Sequence, residues 1–376
     1  MREHKQNWLD IFSCFRVALD VRKIVLGTLG VYVSILLIYL VLLTCSSGSE
    51  AQLTFQEALR HPADGIRGLC VWMKTISLRH PLAQCQIGGR LAAFGGAAGI
   101  LFLAIWAFFG GAIARLAAID FAKGERIEIG QAGAFTCKKF GSFFWAPVAP
   151  LVFVAILFLC NYLLGLAGRL PGVGPIIVGL LFFLAAISGF LVVILLIGTI
   201  LGFPFMWPAI AMEGTDAFDA ISRSFNYLFA RPWKTLWCWL VALAYGSVTT
   251  AFAGWFVISV ARVAYAGVAA GMGSDFDPIA EFLRSGVPPD GTQWPLLIAM
   301  VLVRVLIILA GGLFLGYIVS FKLTAFTIIY AIIRRDVDGT DMSEAYLPEQ
   351  AEAPTETPEP PVAQQPAQTG DGIAEL

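Results

Sequence analysis

The residues whose types and spacing suggest chemistry gather in one loop. Glu213, Asp216 and Asp219 stand three apart, followed by Arg223 and Arg231. Carboxylates this close serve as general acid and base, or hold a cation when further ligands join them. Here no histidine or cysteine stands beside them, and Gly214 opens a turn from which Thr215 or Asp216 would cap a helix. We therefore read Glu213, Asp216, Asp219, Arg223 and Arg231 as an interaction surface and assign no catalytic residue. Cys70 and Cys85 lie near His61 and His80; a disulfide is the reading in an oxidising compartment. Their spacing lacks the close paired ligands of a structural zinc site, so no metal is expected. Arg304 is a candidate charge inside the membrane. No Gly-x-Ser-x-Gly, His-Glu-x-x-His or phosphate-cradling glycine loop occurs, so no cofactor is expected.

The elements that position these residues are long and apolar. The chain of 376 residues is 58% hydrophobic and 14% charged, against roughly 25% charged in soluble domains. Six stretches are long enough to cross a hydrocarbon core of about 30 Å as helices, with spans at 24–45, 91–114, 143–168, 173–201, 236–262 and 304–322. No Asp, Glu or His lies inside them. Such groups mark proton relays and ion paths at membrane depth, so this composition argues against a coupled pathway through the bundle. The fold class is an all-α integral membrane protein: residues 1–335 as a six-helix membrane domain with an outer loop at 46–90, and 336–376 as a tail.

Net charge is −1, yet all 25 Lys and Arg precede residue 336. The tail holds ten acids, six prolines and no base, a composition that predicts disorder. Bases concentrate in the N-terminus, the 115–142 and 213–234 loops, and the stretch from Lys322. By the positive-inside bias these face the cytoplasm, with both termini. Arg304 and Lys322 are about 27 Å apart along a helix, which suits snorkelling to opposite interfaces. Pro204 and Pro208 predict a break or a kink at the end of the fourth span, with Trp207 at interfacial depth.

Two of the cytoplasmic loops repeat. Aligning Ala132 with Ala220 brings Thr136 onto Ser224, Phe140 onto Leu228 and Trp145 onto Trp233. Each copy reads as a turn, an amphipathic elbow helix and an aromatic return to the membrane. In the second, Phe218, Ile221, Phe225 and Leu228 share the expected apolar face. The segment with Trp8, Phe12, Phe15 and Leu19 reads as a third interfacial helix. Basic elbow residues, Arg126 and Arg223 among them, would favour anionic lipid. The run Glu213-Gly214, Ala220, Arg223-Ser224 and Trp233 resembles a segment of uncharacterised bacterial six-span membrane proteins. These are similar to the membrane domain fused to some glycerophosphoryl diester phosphodiesterases. The resemblance implies a fold and a bacterial inner-membrane location, not an activity, since no soluble stretch is long enough for the catalytic domain.

These readings favour a non-enzymatic membrane scaffold or accessory protein. Its partners would be membrane lipid and a protein met through the elbows or the acidic tail; no nucleic acid is expected. A transporter or channel for a small or lipidic solute would use Arg304, glycine-rich packing and the broken span. A lipid-modifying enzyme would use Glu213, Asp216 or Asp219 at the headgroup plane.

Overall fold

The structure is a computed structural model that describes residues 8–45, 85–285, 289 and 292–347. Every regular element among these residues is helical. A 3₁₀ turn, Trp8–Ser13, leads into α1 (Cys14–Ala18) and α2 (Val21–Cys45). Then come α3 (Cys85–Lys123), α4 (Ile129–Lys138), α5 (Phe140–Ala167), α6 (Gly174–Glu213), α7 (Ala217–Ala230) and α8 (Pro232–Met272). After the turn Gly273–Phe276, α9 (Asp277–Ser285) precedes α10 (Trp294–Asp338). Six of these helices, α2, α3, α5, α6, α8 and α10, are long and apolar enough to cross a membrane, and the chain is a multi-pass membrane protein.

The helices overrun the spans drawn from hydropathy. α3, α6, α8 and α10 contain 39, 40, 41 and 45 residues. At about 1.5 Å per residue each is about twice the thickness of the hydrocarbon core. Part of the surplus lies at one end, where α3, α6 and α10 each stop at a glycine of positive φ, Gly124, Gly214 and Gly339; α8 overruns at its other end, to Met272. At the elbow end, marked by the three glycines, the chain packs like the core of a soluble protein. Residues 110–122 of α3, 205–212 of α6 and most of 320–334 of α10 are buried. Toward the far end, α5, α6, α8 and α10 expose rows of Leu, Ile, Val and Phe, the surface that a hydrocarbon solvent requires.

Two expectations fail here. Pro204 and Pro208 do not break the fourth span: both lie inside a continuous α6. A proline removes one helical hydrogen bond and is tolerated when packing holds the helix on both sides; Phe205, Met206 and Trp207 are buried around it. Trp207 packs inside the protein, and its Nε1 donates to the Phe143 carbonyl at 3.0 Å. The helical body also runs past residue 335. α10 continues to Asp338, and the compact unit extends to Ala345, with Arg334 donating to the carbonyls of Asp341 and Glu344 at 3.1 and 2.8 Å. A second unit, Tyr346–Leu376, falls almost wholly outside the described residues.

α2 and α10 approach closely, backbone against backbone. Thr28 donates to the Gly312 carbonyl at 3.1 Å, and Tyr32 to that of Ile308 at 2.6 Å. A Cβ on Gly27 would sit 2.7 Å from the Gly316 carbonyl oxygen. Backbones this close need residues without side chains, and interhelical hydrogen bonds then add directional attraction in an apolar solvent. Gly27→Ala is expected to cost about 1–3 kcal/mol through overpacking. Gly99→Ala, with nothing within 4 Å of the added methyl, is expected to be neutral or stabilising. Thermal unfolding of both variants in detergent measures the contrast.

Candidate functional site

The site grows from the end of α6. Glu213 is its last residue, and Gly214, at φ 66°, turns the chain back. Asp216 then caps α7, its Oδ1 accepting from the Asp219 N–H at 2.9 Å. α7 returns antiparallel along α6, so that Phe225 and Ser224 lie over Gly198 and Gly202. Its buried face is Ala217, Ala220, Ser224, Tyr227 and Leu228. Of the apolar row read from periodicity, Leu228 is buried, Ile221 and Phe225 are half-buried and Phe218 is exposed. Small residues let a helix approach its neighbour closely in a membrane protein, and Tyr227 and Leu228 fill the space at the end of this face.

The fold-back carries Arg223 to a set of carboxylates. Its Nη1 lies 2.7 Å from Glu213 Oε2 and 3.9 Å from Asp338 Oδ2; its Nε donates to Asp219 Oδ2 at 2.9 Å. Glu213 Oε1 accepts from the Tyr330 hydroxyl and lies 3.6 Å from Arg334 Nη1. Asp338 accepts from Tyr227, and Asp336 pairs with Lys234. The network thus ties α6, α7, α8 and α10 together. Glu213 and Asp338 each end a helix, where the dipole already disfavours negative charge; the guanidiniums offset that. Burial alone would lower the Arg223 guanidinium, but Asp219 and Glu213 raise it above its ordinary value. Burial, the hydrogen bond to Asp338 and the charge of Glu213 hold the Tyr227 hydroxyl well above the usual tyrosine range.

A second polar cluster lies at the same end. Lys23, 0% exposed, donates through Nζ to Asp120 Oδ2 at 2.8 Å and to the Val17 carbonyl at 2.7 Å. Arg115 is buried, stacks 4.1 Å over the Phe135 ring and donates to the Ala211 carbonyl at 2.7 Å. Asp120, Glu213, Asp336 and Asp338 sit on the helical ends that run past the spans drawn from hydropathy. The two loop copies correspond in geometry. Ala132 and Ala220 are both buried, and Thr136 and Ser224 donate back to their carbonyls at 2.9 and 2.6 Å. Glu128 and Asp216 hold the same helix-start position.

Of the five surface residues expected from sequence, Glu213, Asp219 and Arg223 come together, Asp216 caps α7, and Arg231 stands apart, exposed at its end. Their partners Tyr227, Tyr330, Arg334 and Asp338 escaped the sequence reading. One signal was available: Asp338-Gly339 repeats the acid–glycine pair of Glu213-Gly214. Arg304 is half-buried 5.6 Å from the Phe282 ring centroid of α9, beside the cluster Phe276, Ile279, Phe282 and Met300. Cys70, His61 and His80 lie outside the described residues, and the Cys70–Cys85 disulfide with them. Among the described residues no three His, Cys, Asp or Glu side chains are grouped to hold a metal. No family model, curated protein or solved structure matches the chain.

Arg223→Leu leaves two carboxylates at helix ends without their shared cation and is expected to cost about 1–2 kcal/mol. Arg231→Leu is expected to stay within about 0.5 kcal/mol of wild type. Denaturant unfolding in micelles compares them. Because the Tyr227 pKa is raised on folding, its contribution is intact below its unfolded pKa of about 10 and is lost as pH rises above that. Tyr227→Phe should therefore flatten the fall in melting temperature above about pH 10, as a pH series of thermal melts would show.

Proposed function

We propose that the protein is a non-enzymatic scaffold or accessory subunit of the bacterial inner membrane, holding a protein partner at its elbow end. In this reading the elbow end and both termini face the cytoplasm. The positive-inside bias supports that orientation, since 16 of the 25 Lys and Arg lie in the N-terminus, the two elbow segments and the end of α10. α4 and α7 are then amphipathic cytoplasmic elbows, and the acidic tail offers a second contact to a basic partner.

One observation carries the reading. The carboxylates and guanidiniums that could do chemistry are occupied in joining helices, while Phe218 and Trp233 at the same end are 76% and 82% exposed. Aromatic residues are favoured anchors of protein interfaces. The transport reading has lost two supports, because α6 is continuous and Arg304 stacks on α9.

Photo-reactive residues at positions 218 and 233 test the partner in native membranes. A discrete protein adduct is expected; adducts with lipid alone at both positions would overturn partner binding and leave the elbows as membrane contacts. Orientation is tested by Asp216→Cys, expected to react with a membrane-impermeant maleimide only after the membrane is opened.

A further inference from the structure

The turn between α3 and α4 lies against the start of α2. Arg22, in the first turn of α2, donates through Nη1 to the Ile127 carbonyl, which holds the neighbouring Arg126 beside the N-terminal segment. An open cavity of about 500 Å³ lies there. Arg16, Arg22 and Arg126 line it with one carboxylate, Asp20; its apolar wall is Phe15, Leu19 and Val21. Asp20 is engaged by Arg22, accepting from its N–H at 3.1 Å and its Nε at 3.2 Å. Arg16 and Arg126 are exposed and, among the described residues, carry no ion pair. The cavity therefore has two guanidiniums in excess of its internal pairs.

The position of the cavity is as informative as its charge. It opens where α2 becomes apolar. Val21, 70% exposed, begins a ridge that continues through Val25, Leu29 and Val33, all exposed and four residues apart. Residues at that spacing stack along one side of a helix, so the ridge leads from the cavity along the span. Guanidiniums recognise phosphate by charge and by paired hydrogen bonds. A free phosphate would use them, but only a molecule with a hydrocarbon chain would also use the ridge.

We propose that the cavity formed by Arg16, Arg22 and Arg126 binds the phosphate headgroup of an anionic phospholipid, with an acyl chain along Val21, Val25, Leu29 and Val33. A headgroup held there bridges the N-terminal segment and the α3–α4 turn, which are distant in sequence. The proposal needs only the membrane placement of the chain; a protein that holds no partner would still bind lipid here.

The test uses the full chain in nanodiscs of phosphatidylcholine with a graded fraction of phosphatidylglycerol. Native mass spectrometry after transfer to detergent counts the phosphatidylglycerol retained. The double variant Arg16→Gln, Arg126→Gln is expected to lower retention roughly tenfold or more without lowering the unfolding temperature, since both side chains are exposed. Lys138→Gln, Lys139→Gln on α4 is expected to retain lipid as wild type does. Millimolar inorganic phosphate is expected not to displace the lipid. Equal retention by the Arg16, Arg126 variant overturns the site, and full displacement by phosphate shows a soluble-anion site instead.

Discussion

Two carboxylates at the ends of two long helices set the terms for the elbow end. Glu213 closes α6 and Asp338 closes α10, each next to backbone carbonyls that already carry partial negative charge. Brought together without a cation, they would repel each other and their own helices. Arg223 answers both, lying 2.7 Å from one and 3.9 Å from the other. To reach them it must come from a helix that folds back. That requirement explains Gly214, whose left-handed φ turns the chain without a Cβ clash, and Asp216, which starts α7 at once. It explains as well the small face of Ala217, Ala220 and Ser224, which lets α7 lie close on α6.

The two ends of the bundle meet different solvents. At the elbow end, buried charges are paired in a packed interior, where an unpaired partner would be costly. At the far end the protein buries the cluster of Phe276, Ile279, Phe282 and Met300 but leaves most of its apolar surface outward, because lipid is as apolar as the side chains it meets. The α5–α6 hairpin shows this. Phe158, Ile176, Leu180 and Phe190 face outward, and Ser188 donating to Asn161 at 2.7 Å ties the two arms. Stability is thus concentrated where the polar network lies.

Hydropathy made the six spans legible, because a run of twenty apolar residues has one plausible use. It could not show where the helices end. α3 runs on through Arg115 and Asp120, and α10 through Arg334 and Asp336, since each charge finds a partner that no local window contains. The elbow loops were legible as a repeat, but their buried face was not. Periodicity picked out the apolar row Phe218, Ile221, Phe225 and Leu228 for the membrane surface, and the small residues between them carry no such signal. Ala220 and Ser224 pack against α6 while Phe218 stays exposed. Within the site, Glu213, Asp219 and Arg223 were visible through their spacing. Tyr330 and Asp338 were not, because they lie more than a hundred residues away in sequence.

The contacts at the elbow end form a closed circuit. α3 holds α2 through Asp120 and Lys23, and α2 crosses α10 at Gly27 and Gly316. α10 holds α6 through Tyr330 and Arg334 on Glu213, and α6 returns to α3 through the Ala211 carbonyl and Arg115. Each link is chemically different: a buried ion pair, a backbone contact, a charged carboxylate node and a cation on a helix-end carbonyl. A ring of helices has a property that an open row lacks. Breaking one link leaves every helix still held through its other neighbour, and α3 also packs directly against α10 across the ring. Losses at adjacent positions on one link should therefore overlap, since coupling energy appears where sites share a structure. The first loop copy feeds this ring through Arg115 and the second through Glu213, so the repeat supplies two of its four corners. The terminal helices α2 and α10 supply the other two.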